Sequence, residues 1–285
     1  MMVAMAQSYE DMAADVNSDP MVEFGFRLRS YATRLDHHKQ EKNKYKTMVQ
    51  QAESQKIDET ARPFVDFLKF EQEYNAMLMA MNKKVNLTGI KDGEESLIKN
   101  IYDSMTAYDP AYFPQNGRVL DLGTGAGFPG VPLAILRPDM YVVLVDSIQK
   151  KLTFIEDACR ELGIRNVKCV HIRAEEGGRR RKTRESFDVV TARAVKAMPV
   201  ISEWAMPFVK VGGVFCAMKG PGAEEELKQA GRILRELHGT LEEKKELTLP
   251  AGDKRVILYI RKTAPCPKTY PRKVGIAEKK PIIGE

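Results

Sequence analysis

An apolar run that ends in an acid and passes at once into three alternating glycines leaves a chain few ways to fold. Val119-Leu120-Asp121-Leu122-Gly123-Thr124-Gly125-Ala126-Gly127-Phe128-Pro129-Gly130 is such a run. Glycines let the backbone turn tightly and let a ligand reach the main chain where a side chain would clash. A helix that follows such a turn offers free N–H groups in its first turn. From Arg118 onward the chain alternates strand and helix patterns. Strands are predicted at 118–122, 141–146, 167–172, 187–191 and 213–218, with helices at about 131–137, 148–162, 197–209 and 222–237. That is the rhythm of an open, mostly parallel α/β sheet. The end differs. Residues 241–248 and 255–262 are strand-like runs around Pro250-Ala251-Gly252-Asp253 with no helix between them, so an antiparallel hairpin is expected to close the sheet edge.

Upstream of this core, a helix is predicted to begin near Pro63, a good first-turn residue. Phe64, Phe67, Leu68, Tyr74, Met77, Leu78 and Met81 repeat at helical spacing and form one apolar stripe. A polar turn follows at Asn82–Gly89, then a second helix at 93–107. Residues 1–59 read as a polar extension, partly disordered or an exposed helix. The His37-His38 pair in it has no surrounding acid and cysteine cluster, so it is not read as a metal site.

Composition narrows the class. No apolar stretch reaches about eighteen residues, so no membrane span is expected. The N-terminus lacks the basic and apolar regions of a secretory signal, and its acids argue against an organellar transit peptide. Cys159, Cys169, Cys216 and Cys266 lie 10, 47 and 50 residues apart, which is neither a disulfide framework nor a zinc module. A cytoplasmic protein with reduced thiols is expected. Residues 251–285 contain nine Lys/Arg against three Asp/Glu, and that excess matches the +6 of the whole chain. A basic end on a nearly neutral body suggests a polyanionic partner.

The glycine run admits two frames. Gly125–Gly130 is a G-x-G-x-x-G dinucleotide fingerprint, but there Pro129 intrudes and Asp121-Leu122-Gly123 is left without a role. The frame D-x-G-x-G-x-G over 121–127 gives every special residue a role, and it is the pattern of S-adenosylmethionine sites. Asp121, Gly123, Gly125 and Gly127 are therefore candidate cofactor residues. The next strand ends in Asp146, 19 residues after Gly127, where an acid can accept both ribose hydroxyls. Ligands of such sheets sit beyond the carboxyl ends of the strands. Ala174-Glu175 follow the third strand, where adenine is expected, and Arg193 follows the fourth, where cofactor and substrate meet. Met218-Lys219-Gly220 end the fifth. His171 is read as a strand residue.

These residues resemble the bacterial 16S rRNA (guanine-N7)-methyltransferase family, RsmG, also called GidB, from about residue 60 to 283. Met81-Asn82-Lys83-Lys84-Val85-Asn86-Leu87-Thr88 is similar to the family's W-N-x-x-x-N-L-T turn, and Asn100-Ile101-Tyr102-Asp103-Ser104 to its H-x-x-D-S. Asp121–Gly130 is similar to its D-x-G-[ST]-G-x-G-x-P-G. Thr191-Ala192-Arg193-Ala194 and Lys219-Gly220 match as well, as does Tyr270-Pro271-Arg272-Lys273-Val274-Gly275 followed by Lys280-Pro281-Ile282. Met81 stands for the family Trp and Asn100 for the usual His. The resemblance implies a Rossmann-like S-adenosylmethionine-dependent methyltransferase fold with a seven-stranded sheet. It also implies cofactor contacts from Gly123, Phe128, Ala174, Glu175 and Arg193, with Asp146 on the ribose. The domain expected is 60–285, with helices at 60–117, the core at 118–263 and a basic strap at 264–285.

Guanine N7 has an in-plane lone pair and no proton, so its methylation needs no general base. No Ser or Cys nucleophile with a paired His stands out either. Catalysis is then mostly positioning. Arg193 and Lys219 are expected to hold phosphate or the base edge, and Arg272, Lys273, Lys279 and Lys280 to contact the RNA backbone. Prolines 267, 271 and 281 are expected to keep the strap extended and non-helical. The basic run Arg179–Arg184 reads either as a further RNA contact or as a solvated loop. The expected partner is 16S rRNA or a small-subunit assembly particle, with no metal and a monomeric chain. The alternatives are a methyltransferase of small molecules or proteins, and an RNA-binding assembly protein without turnover.

Overall fold

In a computed structural model of the chain, residues 62–249 and 251–284 are described, with 62–68 given by their backbone alone. Residues 1–59, His37-His38, Pro250 and the side chains of Phe64, Phe67 and Leu68 lie outside the described residues. The fold that follows is that of the unit Phe67–Glu285.

Seven strands form one sheet: β1 (Arg118–Leu122), β2 (Tyr141–Asp146), β3 (Val167–His171), β4 (Phe187–Arg193), β5 (Val209–Lys219), β6 (Gly239–Thr248) and β7 (Lys254–Lys262). Their order is β3-β2-β1-β4-β5-β7-β6. The first five are mutually parallel, while β7 pairs antiparallel with both β5 and β6. This is the expected fold, a mostly parallel sheet closed by a hairpin. Central strands read as continuous apolar runs because both their faces are covered. Val119, Leu120, Val142, Leu144, Val189 and Val190 accordingly have no exposed surface.

The helices are α1 (Arg62–Asn82), a composite α2, α3 (Gly130–Leu136), α4 (Gln149–Glu161), α5 (Ala174–Gly177), α6 (Met198–Ala205), α7 (Ala223–Gln229), α8 (Gly231–Glu236) and α9 (Ile276–Lys279). α2 starts as α-helix at Gly93–Ser96, passes through a π-helical stretch at Leu97–Tyr102, and ends as α-helix at Asp103–Met105. Asp92 caps it, its Oδ1 accepting the N–H groups of Glu94 (3.0 Å) and Glu95 (2.8 Å). α4 buries one face through Leu152, Phe154, Ile155, Ala158 and Cys159. α6 is buried all round, as a helix enclosed by its neighbours must be.

The larger departures from the sequence reading each have a local reason. α6 stops at Ala205 and not at 209, because Pro207 lacks an N–H and cannot extend it. The helix expected at 222–237 breaks at Ala230-Gly231, where glycine weakens helix. β5 begins at Val209, four residues early. Its pairing with β4 jumps from Phe187↔Val209 to Val189↔Val214, and Gly212 (φ 80°) sits in the irregularity. The C-terminal strap is not uniformly extended: it contains α9 and buries Tyr270, Pro271 and Ala277. Pro271 and Pro281 bracket that stretch but do not interrupt it, and Gly275 (φ 77°) turns the chain into α9.

Candidate active site

The strand order reverses between β1 and β4, and in sheets of this kind the crevice beyond the carboxyl ends at that point is where ligands bind. β1 leads there into Gly123, Gly125 and Gly127, all with positive φ (70°, 60° and 93°). Two of them need glycine for opposite reasons. A Cβ on Gly125 would enter open space, with Gly123 O the nearest atom at 4.0 Å. A Cβ on Gly127 would collide with Tyr74 Oη at 2.5 Å and Val131 Cγ2 at 2.7 Å, so Gly127 lets α1 and α3 close on the turn. The Tyr74 hydroxyl donates to Ala126 O at 2.8 Å and fixes the turn from behind.

Asp121 is fully buried beneath the turn. Its Oδ2 accepts from Thr124 Oγ1 (2.6 Å) and Gly130 N–H (2.9 Å), and its Oδ1 from Thr191 Oγ1 (3.0 Å). It thus joins β1, the turn, the start of α3 and β4. Burial pushes its carboxyl up to about 6, against the pull of these hydrogen bonds and of Arg193. Asp146, 8 % exposed at the end of β2, accepts Gly125 N–H on Oδ2 and Ile148 N–H on Oδ1, both at 2.9 Å. Each oxygen keeps a second lone pair.

Two adjoining clefts open here and share Gly123 and Ala194. The smaller, about 320 Å³, is walled by Gly123, Asp146, Ala174, Glu175, Trp204 and Glu278 among others. Glu175 is buried, its Oε1 accepting Gly275 N–H at 3.0 Å, and Glu278 pairs with Lys196 at 3.1 Å. The C-terminal segment therefore builds part of this wall. The larger cleft, about 560 Å³, is lined by Gly125, Phe128, Asp103, Arg193, Lys219 and Arg255 among others. Asp121 and Gly127 line neither cleft; the contacts of Asp121 with Thr124, Gly130 and Thr191, and the close approach of Tyr74 and Val131 to Gly127, hold the turn in place.

Arg193 lies over the Phe128 ring, 5.3 Å from its centroid. It donates to Lys99 O (2.6 Å), Asn100 Oδ1 (2.9 Å) and Asp103 Oδ2 (3.2 Å). Burial pulls the guanidinium below its ordinary value, opposed by Asp103 and Asp121. Arg255 Nε reaches both oxygens of Asp103 at 3.1 Å, so one carboxylate orients two arginines on the cleft wall. Asn100, which stands for the family His, is thus an Arg193 anchor. Lys219 Nζ donates to Lys196 O (2.8 Å) and pairs with Glu226 (2.6 Å). The turn after α1 is tied by Asn82. Its Oδ1 accepts from Leu87 N–H (2.8 Å) and Thr88 N–H (3.0 Å), while its Nδ2 donates to Thr88 O and Ile90 O. Leu87, Thr88 and Ile90 are thereby held on the wall of the larger cleft.

The four basic residues expected along the strap do not behave alike. Lys273, Lys279 and Lys280 are exposed. Arg272 instead donates through Nε and Nη2 to Glu203, whose side chain is fully buried, with Nη2 to Oε2 at 2.6 Å. In the basic loop, Arg184 and Arg179 are also structural. Arg184 donates to the carbonyls of Gly178, Tyr270, Cys266 and Pro267, and Arg179 to that of Thr269. Arg180, Arg181 and Lys182 are exposed.

The sequence placed Tyr74 only in the apolar stripe of the first helix and gave no sign of the parts played by Arg255, Glu203 or Glu226. Each acts across the fold, as Arg255 does on Asp103 from 152 residues away, and no local pattern announces such a pairing. The open space over Gly125 and the spare lone pairs of Asp146 fit S-adenosylmethionine, which needs backbone access for its amino acid end and an acid for its ribose hydroxyls. Among the described residues no group of three or more His, Cys, Asp or Glu could hold a metal ion, and no helix is long and apolar enough to cross a membrane.

Residues 69–251 match the family model described as rRNA small subunit methyltransferase G. The chain is 43% identical over 212 residues to the ribosomal RNA small subunit methyltransferase G of Clostridium novyi, covering 74% of this chain and 87% of that protein. It is 40% identical over 237 residues to the protein of the same name from Desulforamulus reducens, covering 83% and 97%. With that of Leuconostoc citreum it shares 43% identity over 213 residues, covering 74% and 89%.

Proposed function

The chain belongs to the rRNA small subunit methyltransferase G family, and from that premise we propose that it methylates N7 of a guanine in 16S ribosomal RNA, with S-adenosylmethionine as donor. The observation that carries the reading is the pairing of an open glycine turn with Asp146 beside a larger cleft lined by arginines. In this reading Gly123, Gly125, Asp146, Ala174 and Glu175 border the cofactor, and Phe128 and Arg193 border the place where it meets the base. S-adenosylmethionine supplies a methyl on a positively charged sulfur: transfer forms an N7–C bond, breaks a C–S bond whose electron pair stays on sulfur, and moves one positive charge to the purine.

The chain's own residues have little covalent chemistry to perform, since no proton is exchanged. Asp103 orients Arg193 and Arg255 and offsets part of their charge, which lowers the penalty for a base that becomes cationic. Lys273, Lys279 and Lys280 contact the RNA backbone. The target base must be unstacked or lie in an irregular loop to enter the cleft. The catalytic domain is 60–285 and residues 1–59 are an extension; the protein acts as a cytoplasmic monomer on the rRNA or on a small-subunit assembly particle. Mass spectrometry of nuclease digests of 16S rRNA, from cells with and without the protein, tests the reading. One 7-methylguanosine lost with the protein is the expected result. Digests that are identical would leave the alternatives, a small-molecule or protein substrate or a binding role without turnover.

A further inference from the structure

Asp103 and Glu226 are the two acidic residues that line the larger cleft, and they are in different states. Both oxygens of Asp103 are taken by arginines, and its side chain is 4% exposed. Glu226 is 31% exposed, and its two protein bonds, from Met198 N–H at 2.9 Å and Lys219 Nζ at 2.6 Å, both fall on Oε2. Oε1 remains as an acceptor. Lys219 is held at Glu226 and at Lys196 O, which uses two of its three N–H bonds and leaves one. A donor and an acceptor thus stand side by side on the wall of the cleft that also contains Phe128 and Arg193.

We propose that Lys219 and Glu226 together read the O6/N1 edge of the target guanine, Lys219 donating to O6 and Glu226 Oε1 accepting from N1–H. This rests on the guanine-N7 reading above and adds to it the residues that select the base. Guanine offers an acceptor at O6 beside a donor at N1. Adenine offers the reverse order, a donor at N6 beside an acceptor at N1, and would leave both protein groups facing their like. Sites built to hydrogen-bond a polar group reject analogues that lack it far more strongly than apolar pockets reject a missing methylene.

The pair also suits the charge balance of the reaction. Lys219 alone beside the base would oppose the positive charge arriving on the purine, but Lys219 with Glu226 is neutral. As N7 takes the methyl, the ring becomes cationic and its N1–H a stronger donor. The bond to Glu226 therefore tightens on the way to the transition state, which is the condition for an interaction to raise kcat.

The test is single-turnover methyl transfer to small-subunit RNA carrying guanosine, inosine or 2-aminopurine at the target position, with wild type and Glu226→Gln. Inosine keeps O6 and N1–H; 2-aminopurine lacks both and keeps N7. Wild type should methylate inosine within about threefold of guanosine and 2-aminopurine at least about 100-fold more slowly. Glu226→Gln should be at least about tenfold slower on guanosine at saturating RNA. Its affinities for RNA and cofactor and its melting temperature should stay close to wild type, which a merely structural role for Glu226 does not predict. Wild type that methylates 2-aminopurine as fast as guanosine overturns the proposal whether or not the variant folds, and so does a variant with wild-type rates. If wild type yields no 7-methylguanosine at all, the guanine-N7 reading falls first. If it yields that product but ignores the change of base, the edge-reading proposal alone falls.

Discussion

At the scale of single residues, the site separates groups that line the clefts from groups that hold those groups. Gly125 belongs to the first kind, because a Cβ there enters open cleft. Gly125→Ala should weaken S-adenosylmethionine binding at least about tenfold, and should cost about 1–2 kcal/mol of stability for a side chain in the left-handed region. Calorimetry and a thermal melt check both, and unchanged cofactor affinity would remove the turn from the binding site. Asp121 belongs to the second kind. Its folded value of about 6 lies above that of an unfolded aspartate, about 3.9, so the fold prefers it protonated. The stability it contributes is complete below about pH 4 and is lost as pH rises through about 6. The stability difference between wild type and Asp121→Asn should therefore move against wild type by about 2–3 kcal/mol over that window and stay level above it. Denaturant titrations at several pH values measure this, and a pH-independent difference would contradict it. In the sequence Asp121 and Gly125 looked alike, as members of one motif; packing separates them, since only the fold shows that Asp121 faces Thr124, Gly130 and Thr191.

At the scale of elements, strands β1 and β2 were legible to the residue, because apolar runs bounded by polar turns mark buried parallel strands. The C-terminal strap was not. Its prolines and lysines suggest an extended basic arm, yet what decides its course is a set of distant acids. Glu203 binds Arg272, Glu236 binds Tyr270, and Glu175 receives Gly275 N–H. Composition located the excess of positive charge correctly but gave no sign of which cation is consumed inside the fold. Arg272→Ala removes the guanidinium from the buried Glu203 carboxylate, which keeps only the backbone N–H of residue 272, and should cost about 3–5 kcal/mol in a thermal or denaturant melt. Gln at Lys273, Lys279 and Lys280 together should leave the melt unchanged and reduce the salt slope of RNA binding by about 2, at about 0.7 per contact on single strands. A salt slope that falls with Arg272→Ala and not with the triple lysine change would reverse this division.

At the scale of the whole molecule, the sheet order brings together residues that the sequence keeps far apart. β1 supplies the turn, β2 ends in Asp146, β4 ends in Arg193, and β7 carries Arg255 back to α2. The topology was readable because strand–helix alternation forces a parallel sheet, and the final two strands, with no helix between them, force an antiparallel edge. The two-cleft arrangement was readable only in part. Strand ends pointed to the crevice, but the walls contributed by α2 and by the C-terminal segment come from tertiary packing. In the function proposed above, these clefts together deliver a methyl group to guanine N7 of small-subunit rRNA. Its most direct test gives the purified protein S-adenosylmethionine with an isotope-labelled methyl, together with unmethylated small-subunit RNA or particles, and identifies the labelled nucleoside by mass spectrometry. Label in 7-methylguanosine at one position of 16S rRNA is the expected result. Label in another nucleoside, or in protein or small molecules with none in the RNA, would contradict it.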